Sequence, residues 1–176
     1  MKCRTLSLIA IIAGALMVVA CTMPAWVNTV ESDAEVAVPI AASLIDVIDP
    51  ALAPLVTGIE TGFTALAKTL DTYKASPTAT NLQAVQSAFA AVDSNVTQLE
   101  SAAQIKNTTT QATVTAVVQL LAQAVSEIAA RVPASAGLGV RNTAPGAPAA
   151  KGWKADDFKR EFNKIVKGDP RFRPLQ

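Results

Sequence analysis

Apolar residues recur at alternating steps of three and four along three long stretches of this chain, and this period constrains the fold more than any other feature. In an α-helix, such steps place the apolar side chains on one stripe, which must be buried against neighbouring elements. The period therefore predicts three long helices that share a core. The stripes comprise Leu52, Leu55, Ile59, Phe63, Leu66, Leu70 and Tyr73; Leu82, Val85, Phe89, Val92, Val96, Leu99 and Ala103; and Val114, Val117, Leu121, Val125, Ile128 and Val132.

Helix start signals accompany these stretches. Asp49-Pro50 offers an N-cap followed by proline at the first helical position. A further apolar stretch, from Val36 to Ile48, contains Pro39, which favours a bent or shorter first helix. Capping-box patterns of the form S/T-x-x-E/Q begin at Ser32, Thr80 and Thr108.

The connections and the composition predict an all-α fold. The breaks at 75–77 and 106–107 are short, which favours antiparallel neighbours. Aromatic residues are only 5% of the chain and alanine is abundant, which suits closely packed helices. We therefore expect a small antiparallel helical bundle of three to four helices over residues 31–132. An Ala/Pro/Gly linker over residues 133–152 and a C-terminal amphipathic helix follow it.

Residues 153–176 form a basic tail. Residues 21–150 carry five basic and ten acidic groups, whereas residues 151–176 carry eight basic and four acidic ones. The period predicts a helix from Lys154 to Lys167 with one apolar stripe, stopped by Gly168-Asp169-Pro170. Basic amphipathic helices suit anionic surfaces or acidic partners. The residues expected to make this contact are Trp153, Lys154, Phe158, Lys159, Arg160, Phe162, Lys164, Lys167, Arg171 and Arg173.

An alternative for the tail stays open at this point. Its apolar stripe can instead dock onto the acidic bundle as a structural fifth helix, because the linker of about 20 residues permits either arrangement. The two alternatives predict different effects of deleting the tail on thermal stability.

The N-terminus has the pattern of an export signal. Lys2 and Arg4 precede an uninterrupted run of apolar and small residues from Leu6 to Ala20, which is short for a membrane span. The run ends in Val18-Val19-Ala20-Cys21, which resembles the lipobox of bacterial lipoproteins. The resemblance implies a signal peptide over residues 1–20, acyl chains on Cys21 and a lipidated tether over residues 21–30.

Two other interpretations of the N-terminus remain. Cys21 can be an ordinary small residue at the end of a signal, or the apolar run can extend through Met23–Val27 as an uncleaved anchor. All three interpretations place the body outside the cytoplasm. Because Thr22 is not Asp, the resemblance to lipoproteins favours the outer membrane, facing the periplasm, in a Gram-negative cell.

The sequence offers little catalytic chemistry. It contains no histidine, the commonest general base and metal ligand, and no HExxH, CxxC or nucleophile-elbow motif. The close carboxylates Asp46 and Asp49, and Asp156 and Asp157, are interpreted as helix-capping and first-turn charges. We therefore expect no enzyme activity, cofactor or metal, and the net charge of +1 gives no global field for nucleic acid.

Two functions fit these features. The favoured one is an envelope-anchored structural or interaction module, held by lipid at Cys21, with a basic tail for an anionic surface or protein partner. The alternative is a helical-bundle carrier that binds a small apolar ligand between its helices.

Overall fold

A computed structural model of the chain describes residues 24–103, 109–133 and 150–176. The signal, Cys21 and most of the predicted linker lie outside the described residues. Within the described ranges the regular secondary structure is helical, which confirms the all-α fold class. The helices are α1 (Ala25–Ala42), a 3-10 turn (Pro50–Leu52), α2 (Ala53–Ala75), α3 (Ala79–Ala103), α4 (Thr109–Arg131) and α5 (Ala155–Ile165).

The first four helices form an antiparallel bundle. α2 packs against α1 and α3, and α4 packs against α3 and α1, which closes a four-helix ring around one core. The ring of Trp26, at the start of α1, lies 5.6 Å from that of Tyr73, at the end of α2. The side chain of Gln86, early in α3, donates to the carbonyl of Pro133, just beyond α4. α5 packs against α1 and α4.

The predicted stripes form the core. Each stripe residue whose burial is described is buried or half-buried, including Phe63 and Phe89, which are 1% exposed. Burying side chains of this size supplies about 1.5–3 kcal/mol each relative to exposure, which makes the stripes the main source of stability.

Two glycines let α2 and α3 approach closely. Gly58 and Gly62 are four residues apart and therefore lie on the same face of α2. A Cβ added to Gly62 would lie 2.7 Å from Cγ2 of Val92, so no larger residue fits there without movement. At Gly58 the neighbour is the amide end of the Asn95 side chain, at 3.0 Å.

The helix starts differ from the sequence predictions in two places. α1 begins at Ala25 after Pro24, so Ser32 lies inside the helix and the bundle starts before residue 31. The physical reason is that Val27 and Val30 are fully buried, which extends the core to the first turns of α1. The hydroxyl of Thr78, rather than Thr80, accepts the α3 cap bond from the Asn81 amide, at 3.2 Å.

The other predicted helix starts agree more closely with the structure. Asp49 Oδ1 accepts a hydrogen bond of 2.9 Å from the Ala51 amide, as a cap before Pro50 should. α4 begins at Thr109, next to Thr108, which lies outside the described residues. α1 runs through Pro39 and, with 18 residues, is shorter than α2, α3 and α4, as expected.

One described helix is long and apolar enough to span a membrane. It is α4, over the 20 residues Ala112–Arg131, and most of that window is buried inside the bundle. The continuous run from Leu120 to Ile128 is buried on every side of the helix. α4 is therefore a central core helix in this fold.

Candidate functional site

The apolar stripe of the tail docks on the bundle. Phe158 and Phe162 of α5 are fully buried, and Val166 and Phe172 are nearly so. The ring of Trp153 stands edge-on to Phe158, with 5.5 Å between centroids, and Phe172 stands likewise to Phe162, at 6.3 Å. Of the two alternatives for the tail, the described structure therefore has the docked fifth helix.

The ends of α5 follow its sequence signals. Asp157 Oδ2 accepts a 3.0 Å hydrogen bond from the amide of the N-cap residue Lys154. This bond, followed by the Arg160 side chain, holds the pKa of Asp157 below its usual value. After Ile165 the chain turns at Gly168, whose φ of +89° suits glycine, so the helix is slightly shorter than predicted at both ends.

The last residues fold back along α5. The side-chain amide of Asn163 donates to the Leu175 carbonyl at 2.9 Å and accepts from the Leu175 amide at 2.7 Å. The Arg171 side chain donates to both oxygens of Asp169, which lowers the pKa of Asp169 to about 2. The hydroxyl of Thr113, early in α4, also bonds to Asp169.

A buried carboxylate holds the chain where it returns to the bundle. Glu127 of α4 is 1% exposed. Its Oε1 accepts hydrogen bonds from the Lys151 amide and from Gln123 Nε2, the latter at 3.1 Å. Its Oε2 accepts from the Gly152 amide at 3.1 Å. One side chain on α4 thus fixes the backbone of two successive residues before α5.

Arg131 extends this attachment to α1. Its guanidinium donates to the Trp153 carbonyl and, at 2.5 Å, to Oδ2 of Asp33, and lies 3.6 Å from Oε2 of Glu127. We call Asp33, Glu127 and Arg131 the polar triad. It joins α1, α4 and the backbone of residues 151–153, and two of its members are almost fully buried.

The acidity of Asp33 in the polar triad is set by its burial and by its charged neighbours. Burial raises the pKa of Asp33, and the nearby Glu127 carboxylate adds to the rise. The Arg131 guanidinium and the backbone amide of Ala155, at the start of α5, act in the opposite direction. Asp33 Oδ1 has no hydrogen-bond partner of ordinary geometry within residues 24–103, 109–133 and 150–176.

Sequence reasoning missed the polar triad. From the sequence, Asp33 is placed only within the capping-box pattern that begins at Ser32, and no role is assigned to Glu127. A signal was available, because Gln123, Glu127 and Arg131 follow each other at steps of four on a helix that is rich in apolar residues. Such a polar stripe on a buried helix needs a covering partner.

The tail's basic side chains remain on its outer surface. Lys159 is half-buried and the others of the predicted set are exposed. Arg160 lies 2.5 Å from Asp157, and Lys164 lies 3.2 Å from Glu161. The structure thus divides the predicted contact residues into a buried aromatic group, with Trp153 half-buried at its edge, and an exposed cationic group. The exposed cations are Lys154, Arg160, Lys164, Lys167, Arg171 and Arg173.

The described residues contain no cluster of three or more His, Cys, Asp or Glu side chains that could hold a metal ion. No protein-family model, curated protein or solved structure matches the chain.

Proposed function

We propose that the protein is an envelope lipoprotein: a helical bundle tethered through acyl chains on Cys21 that acts as a structural or interaction module. The observation that carries the proposal is the Val18–Cys21 motif after a basic and apolar leader. In a Gram-negative cell, Thr22 favours placement on the outer membrane, facing the periplasm.

The start of α1 supports a short tether. Ala25 is only four residues after Cys21. A fully extended chain spans at most about 3.3–3.6 Å per residue, so the start of the bundle would lie within about 14 Å of the acylated residue. Two or three acyl chains give stable attachment, whereas one gives only marginal binding.

The exposed cations of the tail are the proposed contact for an anionic surface or acidic partner. With Phe158 and Phe162 inside the fold, the docked tail offers charge rather than an apolar stripe for insertion. Contacts of this kind are screened over about 10 Å at 0.1 M salt, so the binding would be salt-sensitive.

Replacing Cys21 tests the lipid anchor. Cys21→Ser should leave an unprocessed precursor that incorporates no labelled palmitate and keeps the full mass of the chain. Cys3→Ser is the matched control, because it removes the other cysteine and should leave processing and labelling unchanged. Equal mass and labelling of wild type and Cys21→Ser would refute the anchor.

A second variant tests the cationic contact. The triple change of Lys154, Lys164 and Lys167 to Gln removes half of the six exposed cations, so it should weaken salt-sensitive binding of the non-acylated protein to anionic vesicles without lowering its melting temperature. Lys68→Gln, an exposed lysine on α2, is the control and should bind as wild type. Undiminished binding by the triple variant would contradict the proposed contact.

A further inference from the structure

One end of the bundle lies next to the proposed tether. α1 and α3 begin there, and α2 and α4 end there, as the Trp26–Tyr73 ring contact and the Gln86–Pro133 hydrogen bond require. We call residues 24–30, 72–82 and 131–133 the tether end.

The tether end differs in charge from the rest of the acidic bundle. Its residues include Lys74 and Arg131 but no Asp or Glu. The nearest carboxylates are neutralised or buried: Glu31 pairs with Lys74, and Asp33 is buried against Arg131. Asp71, just outside, lies 3.7 Å from Lys74. These ion pairs reduce the charge repulsion that this end of the bundle meets at anionic headgroups.

The same end carries an aromatic pair with polar atoms. Trp26 and Tyr73 are both half-buried, and their rings are tilted by 40° to each other. Tryptophan and tyrosine favour the membrane–water boundary, because an apolar ring and a polar N–H or O–H are satisfied together at headgroup depth. Trp26 is five residues from Cys21, so the pair is within reach of that depth.

We propose that the tether end rests on the headgroup layer of the membrane that holds the acyl chains, so that the bundle stands upright on the lipid surface. The proposal rests on the acylation of Cys21 proposed above. The aromatic pair and the short tether select the lipid surface as the occupant of this end.

An upright bundle fixes where the tail points. α5 starts beside Arg131, at the tether end, and Asp169, in the turn that follows α5, bonds to Thr113 near the start of α4. These two α4 residues are 18 apart, which corresponds to about 27 Å along the helix at about 1.5 Å per residue. The turn at residues 169–171 then lies toward the end of the bundle that is far from the anchoring membrane.

Depth-dependent quenching of tryptophan fluorescence tests the orientation. Acylated full-length protein is reconstituted in anionic vesicles that contain brominated lipid. Trp153→Phe leaves Trp26 as the reporter of the tether end. The matched reporter of the opposite end is Ile45→Trp in a chain that also carries Trp26→Phe and Trp153→Phe, because Ile45 is exposed in the turn after α1.

Brominated lipid should quench Trp26 emission by about half and leave a tryptophan at position 45 almost unchanged. Equal quenching at both positions, or none at Trp26, overturns the upright orientation. A Trp26 signal that follows the protein-to-lipid ratio instead of bromination would assign this end to a second copy and also overturn the proposal. Mass spectrometry separates the two proposals: acylated protein without quenching refutes only the orientation, and unacylated protein refutes both.

Discussion

The two sides of the bundle are held together by different means. α2 and α3 meet through an apolar stripe and the close approach at Gly62, and each keeps a polar outer face in solvent. The segment of α4 from Leu120 to Ile128 is buried on every side, because α5 covers the face that α1 and α3 leave open. That cover is attached through Glu127 and Arg131 as well as by phenylalanines.

The difference shows that a helix packed through one face, such as α2, and a helix that is also covered on its outer face, such as α4, are stabilised by different interactions. On the α2–α3 side, shape complementarity supplies the stability. On the α4–α5 side, buried charges need the backbone of residues 151–155, because an unpaired buried charge is costly. The second side should therefore be sensitive to polar substitutions that the first side tolerates.

Removal of residues 153–176 should have the largest effect. Three buried phenylalanines leave with the tail, and truncating even one such residue costs about 3–5 kcal/mol, so we expect a loss of at least about 5 kcal/mol. The melting temperature should fall by about 10–20 °C in a circular dichroism melt. The control is the triple change of Lys154, Lys164 and Lys167 to Gln, which should melt as wild type. An unchanged melt after deletion would mean that the tail is peripheral.

Removal of the buried carboxylate of Glu127 should have the second largest effect on stability. Glu127→Ala leaves the Lys151 and Gly152 amides and the Arg131 charge without this acceptor, and breaking a buried ion pair costs about 3–5 kcal/mol. The control is Glu60→Ala, which removes a half-buried carboxylate from α2 and should change the unfolding free energy by less than about 0.5 kcal/mol. Urea denaturation of the two variants measures the difference, and equal costs would remove the contrast between the two sides.

A smaller effect is expected where α2 meets α3. Gly62→Ala places a methyl group against Val92, and overpacking of this kind costs about 1–3 kcal/mol. Gly58→Ala is the matched variant, because the flexible Asn95 side chain can move aside and alanine favours the helix by about 1 kcal/mol. In urea denaturation, the free energy of unfolding of Gly62→Ala should be lower than that of wild type, and that of Gly58→Ala should be close to wild type. Equal losses would show that the close approach is not specific to Gly62.

The smallest effect is on how the free energy of unfolding changes with pH, and we expect opposite signs for a carboxylate on α3 and a carboxylate on the tail. Burial raises the pKa of Asp93 on α3, so the folded state binds this proton more tightly than the unfolded state. Its stabilising contribution is complete below the ordinary value of 3.8 and is lost as pH rises through the folded pKa. Asp93→Asn should therefore exceed wild type in stability at pH 7, by less than about 1 kcal/mol after solvent screening, and match it near pH 3.

On the tail, Asp169 has a lowered pKa, so its effect on stability should change with pH in the opposite direction. Arg171 holds the pKa of Asp169 down to about 2, so its contribution is present above 3.8 and is lost as pH falls toward 2. Asp169→Asn should be less stable than wild type at pH 7, and the difference should shrink on acidification. Melts of both variants between pH 2 and pH 7 would contradict this account if the two differences had the same sign.

The sequence predicted the bundle well because its signal is periodic. The stripe through Phe63 and the stripe through Phe89 can be buried only along a helix, so the fold class and the core positions followed from spacing alone. The start of α1 did not follow, because Pro24 has no capping side chain and burial of Val27 was decided by the neighbouring helices.

The surroundings of the tail were harder to predict for a physical reason. The period that includes Phe158 and Phe162 is the same whether the stripe meets lipid, a partner or the molecule's own bundle. Glu127 likewise looks like a surface charge until the chain that binds its carboxylate is placed beside it. The exposed cations of the tail were predicted as contact residues and stay a prediction.

The covering role of α5 has a consequence for synthesis, because the helix that closes over α4 is translated after it. A polypeptide that terminates before residue 150 lacks every backbone group that Glu127 and Arg131 bind beyond the bundle, and its α4 presents an apolar face to solvent. Chaperones and proteases act on chains with such exposed surfaces. Because the cover follows α4 in the chain, cellular survival of the product depends on translation through α5.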